Sequence, residues 1–419
     1  MSGETGPKQK RVLSGMRPTG KLHIGHYFGA LQNWVRLQND PAYDCFYFIA
    51  DWHALTSDYA DTSAIAQNVI EIATDYLAAG LDPAKSVIFQ QSQVPEHAEL
   101  HLLLGMVTPL GWLERVPTYK EQIENITSKD LHTYGFLGYP CLQTADIVMY
   151  SEPGTPLFVP VGEDQVSHVE LSREIVRSFC GYYGLKVSEK LWNGEAPVAY
   201  ERLKEKFGLI PGDREESFEF NVRRYFKLKA REDGIRNFLE KAGDDAWFFA
   251  DGQVLTEPEV MLTQTPRIPG TDGRKMSKSY GNAITLSESD ADIYAKTKVM
   301  VTDPARKRRT DPGNPDICPV GDWHKLFSKD EPGRMDWVYK GCTTAAIGCI
   351  ECKKAMADNL VKWIAPIRDR RVKWENDPKG VLEIIDAGSK NAQKIAQDTM
   401  ERVRDAVFHW HDKRKEIGS

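Results

Sequence analysis

The sequence contains no run of about 18 apolar residues, which is the length that a membrane-spanning helix requires. Its first residues, MSGETGPKQKR, also lack the apolar segment of a secretory signal peptide. These two absences predict a cytoplasmic protein without a membrane span, in which residues 1–10 form a disordered lead. In a reducing compartment, we expect the seven cysteines to be buried residues, metal ligands or nucleophiles, and not disulfides.

An overall excess of basic charge is missing as well. The 419 residues include 54 Lys and Arg against 60 Asp and Glu, a net charge of −6, which argues against a generally basic nucleic-acid-binding protein. The charge is uneven, because from Lys353 to the C-terminus 15 Lys and Arg stand against 11 Asp and Glu. This local excess is typical both of a polyanion-binding region and of a solvated helical surface.

The first half of the chain alternates predicted strands and helices. Apolar runs at 11–15, 45–51 and 86–92 predict buried strands, and helical periodicity at 25–38 and 62–80 predicts helices between them. This order predicts an α/β, Rossmann-like domain with a parallel sheet and helices on both faces. We expect its ligands at the carboxyl ends of the strands.

The rest of the chain divides into an insertion and a helical region. Residues 186–255 are charge-dense, with glycine breaks and aromatics, and predict a subdomain inserted between the two segments of the Rossmann-like domain, 11–185 and 256–286. Residues 287–419 predict an α-helical C-terminal domain. One face of its long helix is predicted to comprise Val381, Ile384, Ile385, Gly388, Ala392, Ile395, Thr399, Val403 and Val407.

Two stretches carry residue types suited to phosphate chemistry. SGMRPTGKLHIGHYFGAL (14–31) leaves a strand, turns, and opens a helix with His23 and His26 three residues apart. A helix start attracts phosphate, Gly25 leaves room for a flat base or ribose, and two imidazoles can donate hydrogen bonds to a reacting phosphate. By itself, this stretch is equally typical of a turn followed by surface histidines.

The second stretch is GRKMSKSYGN (273–282), in which Lys275 and Lys278 lie between two glycines. A mobile loop of this composition can close over a polyphosphate and neutralise its charge. Taken alone, it would be an ordinary solvated loop.

Together the two motifs resemble those of class I aminoacyl-tRNA synthetases, with HIGH after the first strand and KMSKS about 250 residues later. With ADWHALT (50–56), YPCLQTADIVMY (139–150) and FVPVGEDQVSHVELSREI (158–175), the chain closely resembles the tryptophanyl-tRNA synthetases. The resemblance covers most of 11–184 and 256–286 and resumes in the C-terminal helices. It implies an enzyme that activates L-tryptophan with ATP and Mg²⁺ and transfers it to tRNA(Trp). It also implies a homodimer in which residues 287–419 recognise the anticodon.

The resemblance assigns roles residue by residue. Asp146 matches the aspartate that accepts the indole N–H, so that analogues lacking this donor are rejected. Tyr139 and Gln165 match positions that hold the α-amino group. The other residues assigned to tryptophan are His53, Gln143, Val159 and Val161. The residues assigned to catalysis are His23, His26, Lys275 and Lys278. Those assigned to ATP are Arg17, Pro18, Thr19, Gly25, His26, Gly162, Glu163, Asp164, Ile268, Lys275, Met276, Ser277, Lys278 and Ser279.

Some positions depart from the family pattern and keep alternatives open. Arg17 stands where compact members carry glutamine, and Gln143 occupies a position that is often methionine. Tyr139, Gln143 and Asp146 also satisfy the Y-x-x-x-Q-x-x-D pattern of tyrosyl-tRNA synthetases, although Leu13 and the 50–56 segment offer no partner for a phenol hydroxyl. Further alternatives are a cofactor-forming nucleotidyltransferase and an RNA-binding paralogue without catalysis.

Four cysteines suggest a metal site. They have 23, 6 and 2 residues between them, and four thiolates suit tetrahedral zinc or a [4Fe–4S] cluster. A subset of tryptophanyl enzymes carries an iron–sulfur site with nearly this spacing, which makes iron–sulfur the first expectation, zinc the second and empty thiols the third. The predicted ligands are Cys318, Cys342, Cys349 and Cys352. The cysteines predicted to lie in the core are Cys45, Cys141 and Cys180.

Overall fold

The computed structural model describes residues 9–125, 129–208, 218–263 and 268–418, without the side chains of residues 122, 125, 164 and 218. The predicted disordered lead falls mostly outside these ranges, but Lys10 already begins the first strand. The strands are β1 (Lys10–Met16), β2 (Tyr43–Ile49), β3 (Ser86–Gln90), β4 (Leu157–Val161), β5 (Leu185–Val187), β6 (Phe249–Asp251) and β7 (Glu259–Leu262).

Helices make up most of the remaining described chain. The α-helices are α1 (Ile24–His26), α2 (Gln32–Gln38), α3 (Asp51–Asp58), α4 (Ile65–Ala79), α5 (Glu96–Gly105), α6 (Leu110–Leu113), α7 (Pro117–Asn125), α8 (Tyr134–Leu137), α9 (Tyr139–Val148), α10 (Val166–Tyr183), α11 (Pro197–Phe207), α12 (Phe218–Asp233), α13 (Ile235–Ala242), α14 (Asp290–Lys298), α15 (Pro319–Phe327), α16 (Arg334–Thr343), α17 (Cys349–Glu375), α18 (Pro378–Phe408) and α19 (Trp410–Ile417). A π-helical segment, Tyr27–Leu31, joins α1 to α2.

Five strands form a parallel sheet in the order β3-β2-β1-β4-β7. Alternate residues of each strand face opposite sides, as the two-residue period of a strand requires. Val12 and Tyr47 belong to the core on one face, whereas Leu13 and Phe46 belong to the core on the other. The predicted α/β Rossmann-like fold is therefore confirmed.

The strand order places a crevice at one point of the sheet. The chain steps outward from β1 to β2 and β3, and then returns to the other side of β1 with β4 and β7. The connections leaving β1 and β4 therefore diverge at their carboxyl ends, and ligands of open α/β sheets bind at such a switch point.

The charge-dense segment 186–255 contains a hydrophobic core of its own. Buried side chains between Leu185 and Phe249 pack together, and β5 pairs with β6 where the segment leaves and rejoins the sheet. Helix α12 crosses α10 at Gly181, where a Cβ atom would lie 2.4 Å from the Cα of Arg231. This close approach explains the glycine in the last turn of α10.

The C-terminal helices pack directly on the sheet and its helices. Helix α17 lies along α4, and α18 lies along β3. At the second contact, a Cβ on Gly388 would stand 1.9 Å from the carbonyl oxygen of Ile88. The predicted face of α18 is buried at Val381, Ile385, Gly388, Ala392, Thr399 and Val403, and partly buried at Ile384, Ile395 and Val407.

Within the ranges that the structure describes, no helix is both long and apolar enough to cross a membrane.

Candidate active site

A cavity of about 420 Å³ opens at the carboxyl ends of β1 and β4. Its walls come from these strands, from the π-helical segment, and from α3 and α9. The structure brings together here all seven residues assigned to tryptophan, namely His53, Tyr139, Gln143, Asp146, Val159, Val161 and Gln165. Val159 and Val161 reach the same wall because they are two residues apart on one strand.

Asp146 lies at the bottom of the cavity and is 1 % exposed. Its Oδ2 lies 2.9 Å from His53 Nε2, and its Oδ1 lies 2.7 Å from His97 Nδ1. The Gln91 amide nitrogen donates to both oxygens, at 2.7 and 2.8 Å. Burial would raise the pKa of Asp146, but the hydrogen bonds from His53 and His97 outweigh it and lower the pKa to about 2. Asp146 is therefore an ionised acceptor at neutral pH.

The orientation of Gln91 is set by the start of α3. Its carbonyl oxygen accepts the backbone N–H groups of Trp52 and His53, at 3.0 and 3.4 Å, which turns its amino group toward Asp146. The carboxylate therefore already has four donor contacts, which fill its lone-pair positions. A further donor from a ligand would therefore have to displace one of these contacts. His53 has the most exposed of these donor side chains, at 12 %.

The opposite end of the cavity carries a second polar cluster. The hydroxyl oxygens of Tyr139 and Thr118 lie 2.7 Å apart, and His168 Nε2 lies 2.8 and 2.9 Å from them. Burial raises the pKa of Tyr139 and keeps its hydroxyl protonated. This cluster can contact the α-amino and carboxylate groups of an amino acid whose side chain points toward Asp146.

His23 and His26 hold each other in position at the start of α1. The backbone N–H of His26 donates to His23 Nδ1 at 3.3 Å, and the N–H of His23 donates to His26 Nδ1 at 3.2 Å. The two rings stack with their centroids 3.6 Å apart. Because each Nδ1 accepts a backbone proton, the neutral rings carry hydrogen on Nε2 and present it as a donor.

Both imidazoles are neutral at physiological pH. Burial, followed by the charge of Lys278, lowers the pKa of His23 to about 4. Burial, followed by the charges of His23 and Lys278, lowers the pKa of His26 to about 3. The pair therefore acts as two hydrogen-bond donors without fixed charge.

The KMSKS loop lies against the HIGH turn. Ile24 N–H donates to the Ile284 carbonyl at 3.0 Å, and Leu286 N–H donates to the Leu22 carbonyl at 2.8 Å, so the segment after the loop pairs with the HIGH segment. Lys278 Nζ then reaches the carbonyl of Thr19 at 2.5 Å. Two motifs that are far apart in sequence thus form one continuous surface.

The side chain of Asn282 stabilises the KMSKS loop through hydrogen bonds. Its side-chain oxygen accepts the Ser277 N–H at 2.7 Å, and its amino group donates to Asp272 and to the Lys275 carbonyl. The Ser277 and Ser279 hydroxyls lie 2.8 Å apart, Met276 is buried, and the side chain of Lys275 is exposed. Lys275 and Lys278 are therefore placed differently although they are three residues apart.

Two of the remaining residues assigned to ATP reach the cavity. Gly162 and Arg17 line it, and Glu163 and Gln165 stand on a 3₁₀ turn directly after β4. The side chain of Asp164 lies outside the described residues. The Arg17 guanidinium contacts Ser57 and lies 3.6 Å from Asp58. Pro18 is buried in the turn after β1, and Gly25 would place a Cβ 3.5 Å from the sulfur of Met276. Ile268 is buried in the same core as Met276.

The four predicted cysteine ligands lie in one region of the helical part. Burial, and then the charges of Cys318, Cys342 and Cys349, raise the pKa of Cys352 to about 12. Cys352 Sγ also lies 3.4 Å from His324 Nε2, a histidine that no sequence motif indicated. Gly313 would place a Cβ only 2.8 Å from Cys342 Sγ. Nevertheless, no three His, Cys, Asp or Glu side chains in the described part of the chain are arranged to hold a metal ion.

The other cysteines follow the expectation of core positions. Cys45 and Cys141 are buried, and burial raises the pKa of Cys180 to about 12 while its thiol contacts the Leu255 carbonyl.

Several residues of the site were missed by sequence reasoning. Gln91 falls at the end of the predicted strand 86–92 and directly follows the observed strand, so its position at the ligand edge of the sheet could have indicated it. No sequence pattern indicated His97, Thr118 or His168, because each lies in a helix and is identified as part of the site only by its contacts in the structure.

Comparison with known proteins agrees with this geometry. The family described as tRNA synthetases class I (W and Y) matches residues 7–193 and 227–365. The tryptophan–tRNA ligase of Ralstonia nicotianae is 47% identical over 405 residues, covering 95% of this chain and 98% of the relative. The tryptophan–tRNA ligase of Thermotoga maritima is 44% identical over 397 residues, covering 95% and 98%.

A solved structure is similar over nearly the whole chain. The tryptophanyl-tRNA synthetase of Campylobacter jejuni, crystallised with ADP and tryptophan, has a TM-score of 0.68 and 28% identity, and covers 95% of this chain and 99% of that one. The gap in the family match, 194–226, falls inside the segment that has its own core. The HIGH and KMSKS surfaces, the cavity beside them and the likeness to these relatives agree, and the chain belongs to the tryptophanyl-tRNA synthetases of class I.

Proposed function

We propose that this chain activates L-tryptophan with MgATP and transfers it to the 3′ end of tRNA(Trp). A tryptophan carboxylate oxygen attacks the α-phosphorus in line. The new bond joins that oxygen to phosphorus, the bond to the β-phosphate oxygen breaks, and pyrophosphate leaves. No general base is required, because the carboxylate is already ionised at pH 7. A hydroxyl oxygen of the terminal tRNA ribose then bonds to the tryptophanyl carbonyl carbon, the bond from that carbon to the phosphate oxygen breaks, and AMP leaves with the hydroxyl proton.

The chain contributes positioning and charge stabilisation to this step. The Nε2–H donors of His23 and His26 face the reacting phosphate, and Lys278, held beside the HIGH turn, neutralises the leaving pyrophosphate. Lys275 starts exposed and joins them when the KMSKS loop closes over the nucleotide.

Selection of tryptophan rests on one observation, which is the ionised, fully buried carboxylate of Asp146 at the bottom of the cavity. The indole N–H donates to Asp146 in place of His53, and Val159 and Val161 pack against the ring. A ring that occupies the same space without this donor would displace His53 and leave the buried charge with an unfilled position, which costs binding energy.

Amino-acid-dependent exchange of pyrophosphate into ATP tests this function. We expect exchange with tryptophan and none with tyrosine. Asp146→Asn should raise the KM for tryptophan by about 10²-fold, while the KM for ATP changes little. Exchange driven by tyrosine would refute the assignment, and absence of exchange with either amino acid would favour a non-catalytic paralogue.

We also propose that Cys318, Cys342, Cys349 and Cys352 bind a [4Fe–4S] cluster, with zinc as the alternative. The donor set supports this, because the charges of the other three thiols raise the pKa of Cys352, which requires the four thiols to lie near one another. Their positions as described do not form a ready ligand set, so ordering of the thiols would accompany binding.

Anaerobic purification followed by visible spectroscopy and iron and zinc analysis tests the cluster. A brown protein with about four irons per chain supports it, and a colourless protein with one zinc supports the alternative. Cys342→Ser should lose the metal, whereas Cys141→Ser, which removes a buried thiol elsewhere, should retain it.

Two further proposals concern partners. We propose that the helices of 287–419 contact the anticodon, supported by the local basic excess after Lys353. We propose also that the chain forms a homodimer, supported by three exposed apolar side chains, Leu102 on α5, Met106 directly after it and Leu110 at the start of α6. Sedimentation of the wild type against Met106→Glu tests the dimer, and a monomeric wild type would refute it.

A further inference from the structure

We propose that His97 and Tyr150 are positioning residues that hold Asp146 as the acceptor for the indole N–H. The pair does not touch the cavity or the substrate, and acts through the carboxylate. This inference rests on the proposed selection of tryptophan by Asp146 and adds two residues to it.

The three groups form a continuous hydrogen-bonded chain. Tyr150 Oη lies 2.8 Å from His97 Nε2, and His97 Nδ1 lies 2.7 Å from Asp146 Oδ1. Tyr150 and His97 are both 0 % exposed, so solvent cannot replace either partner. A buried network in which every member is satisfied is stiff, because each rotation would leave a polar group unpaired.

Which atom carries each proton follows from the two end members of this hydrogen-bonded series, Asp146 and Tyr150. An ionised carboxylate only accepts, so His97 Nδ1 carries hydrogen. In the neutral ring, Nε2 then accepts, and the Tyr150 hydroxyl donates to it. Burial, and then the negative charges of Asp146 and Glu96, raise the pKa of Tyr150 well above its ordinary value, which keeps this donor protonated. Tyr150 therefore selects the tautomer in which His97 donates to Asp146.

The aromatic ring of Tyr150 is held independently of its hydroxyl. It stacks on Phe46 with centroids 5.0 Å apart and meets Phe89 edge-on at 5.4 Å. Replacement by phenylalanine keeps these contacts and removes only the donor. Without the donor, His97 can adopt the other tautomer, which turns a lone pair toward Asp146.

The side chains that donate to Asp146 have two different roles. His97 and Gln91 are buried and stay with the carboxylate, whereas His53 lies on the cavity wall and gives way to substrate. The carboxylate oxygens keep their direction during this exchange only if the buried donors do not move.

The test measures discrimination between L-tryptophan and β-(3-benzothienyl)-L-alanine, in which sulfur replaces the indole N–H. The readout is the ratio of their kcat/KM values in pyrophosphate exchange. Tyr150→Phe should lower this ratio by about tenfold, through a higher KM for tryptophan, with kcat and the KM for ATP little changed. Tyr47→Phe is the matched control, because its buried hydroxyl donates to the Trp34 carbonyl and does not contact Asp146.

Two variants of His97 provide a second test. His97→Asn can still donate an amide N–H toward Asp146 and should keep more of the ratio than His97→Leu, which cannot. Equal losses for both amino acids in Tyr150→Phe, or equal ratios in His97→Asn and His97→Leu, would overturn the positioning role.

Asp146→Asn separates this inference from the proposed function. If it leaves the ratio at the wild-type value, Asp146 does not select the indole and the proposed function fails at that point. If it abolishes discrimination while Tyr150→Phe and His97→Leu do not lower it, the selection by Asp146 stands and the positioning inference fails.

Discussion

Replacement of Arg371 by methionine should destabilise the protein strongly, because this guanidinium joins the C-terminal helix α17 to the catalytic half. Arg371 is 1 % exposed and its Nε donates to Asp75 Oδ1 at 2.7 Å, while its other nitrogens contact Glu71 and Glu375. The second oxygen of Asp75 accepts the N–H of Leu22, directly before the HIGH histidines, at 2.6 Å. The pair therefore supports both the packing of α17 and the position of the HIGH turn.

The expected magnitude follows from the burial of both charges. Removing one partner of a buried ion pair costs about 3–5 kcal/mol, because the other charge stays buried without compensation. Burial already raises the pKa of Asp75, and Arg371 opposes this, so the variant should raise that pKa further. When the pKa of a carboxyl is higher in the folded state than in the unfolded state, the free energy of unfolding falls as the pH rises toward the folded-state pKa. The loss in Arg371→Met should therefore be largest at about pH 8 and smaller at about pH 5.

Urea unfolding followed by tryptophan fluorescence measures this loss at both pH values. Lys354→Met on the same helix is the control, because its pair with Asp358 is exposed and should contribute only about 0–1 kcal/mol. A loss in Arg371→Met no larger than that of the control, or a loss that grows as the pH falls, would show that the buried pair does not have the assigned role.

Three further outcomes are expected. Gly388→Ala should lower the free energy of unfolding by about 1–3 kcal/mol, because its methyl group would collide with the Ile88 carbonyl, whereas Gly135→Ala, with no atom nearby, should not. Since the pKa of His23 is lowered to about 4, its neutral form persists until the pH falls through that value, and exchange activity should stay level from about pH 8 to about pH 6. A fall centred on the ordinary histidine pKa would contradict this. Lys278→Ala should reduce kcat for exchange by about 10²–10³-fold without a matching rise in the KM for tryptophan, and an effect on KM alone would point to ground-state binding only.

The elements near the N-terminus were predictable because their signals are local. The expected strand at 11–15 is found as Lys10–Met16, and the expected helix at 62–80 as Ile65–Ala79. Apolar runs and helical periods report which face of a segment is buried, and glycine reports where a helix ends. The same patterns did not reveal that α18 would lie along β3, because the glycine that permits this contact is explained only by a carbonyl about 300 residues away.

The candidate site was predictable in its members and not in its electrostatics. The seven residues assigned to tryptophan do meet in one cavity. Their resemblance to a family pattern could not indicate that Asp146 is fully hydrogen-bonded before substrate arrives, nor that Gln91 and His97 supply those bonds. These donors come from separate elements, and their convergence depends on how α5 and α9 pack together.

His23 and His26 show which properties follow from the sequence and which depend on the tertiary structure. Their spacing of three residues at a helix start is local, and it alone predicts that their side chains can act together on a phosphate. Their neutral state, by contrast, arises from burial and from Lys278, about 250 residues further along the chain. Sequence patterns record backbone period and side-chain type, which act between neighbours in the chain. Charge state and hydrogen-bond saturation depend on distances in space, and only the packed fold sets those distances.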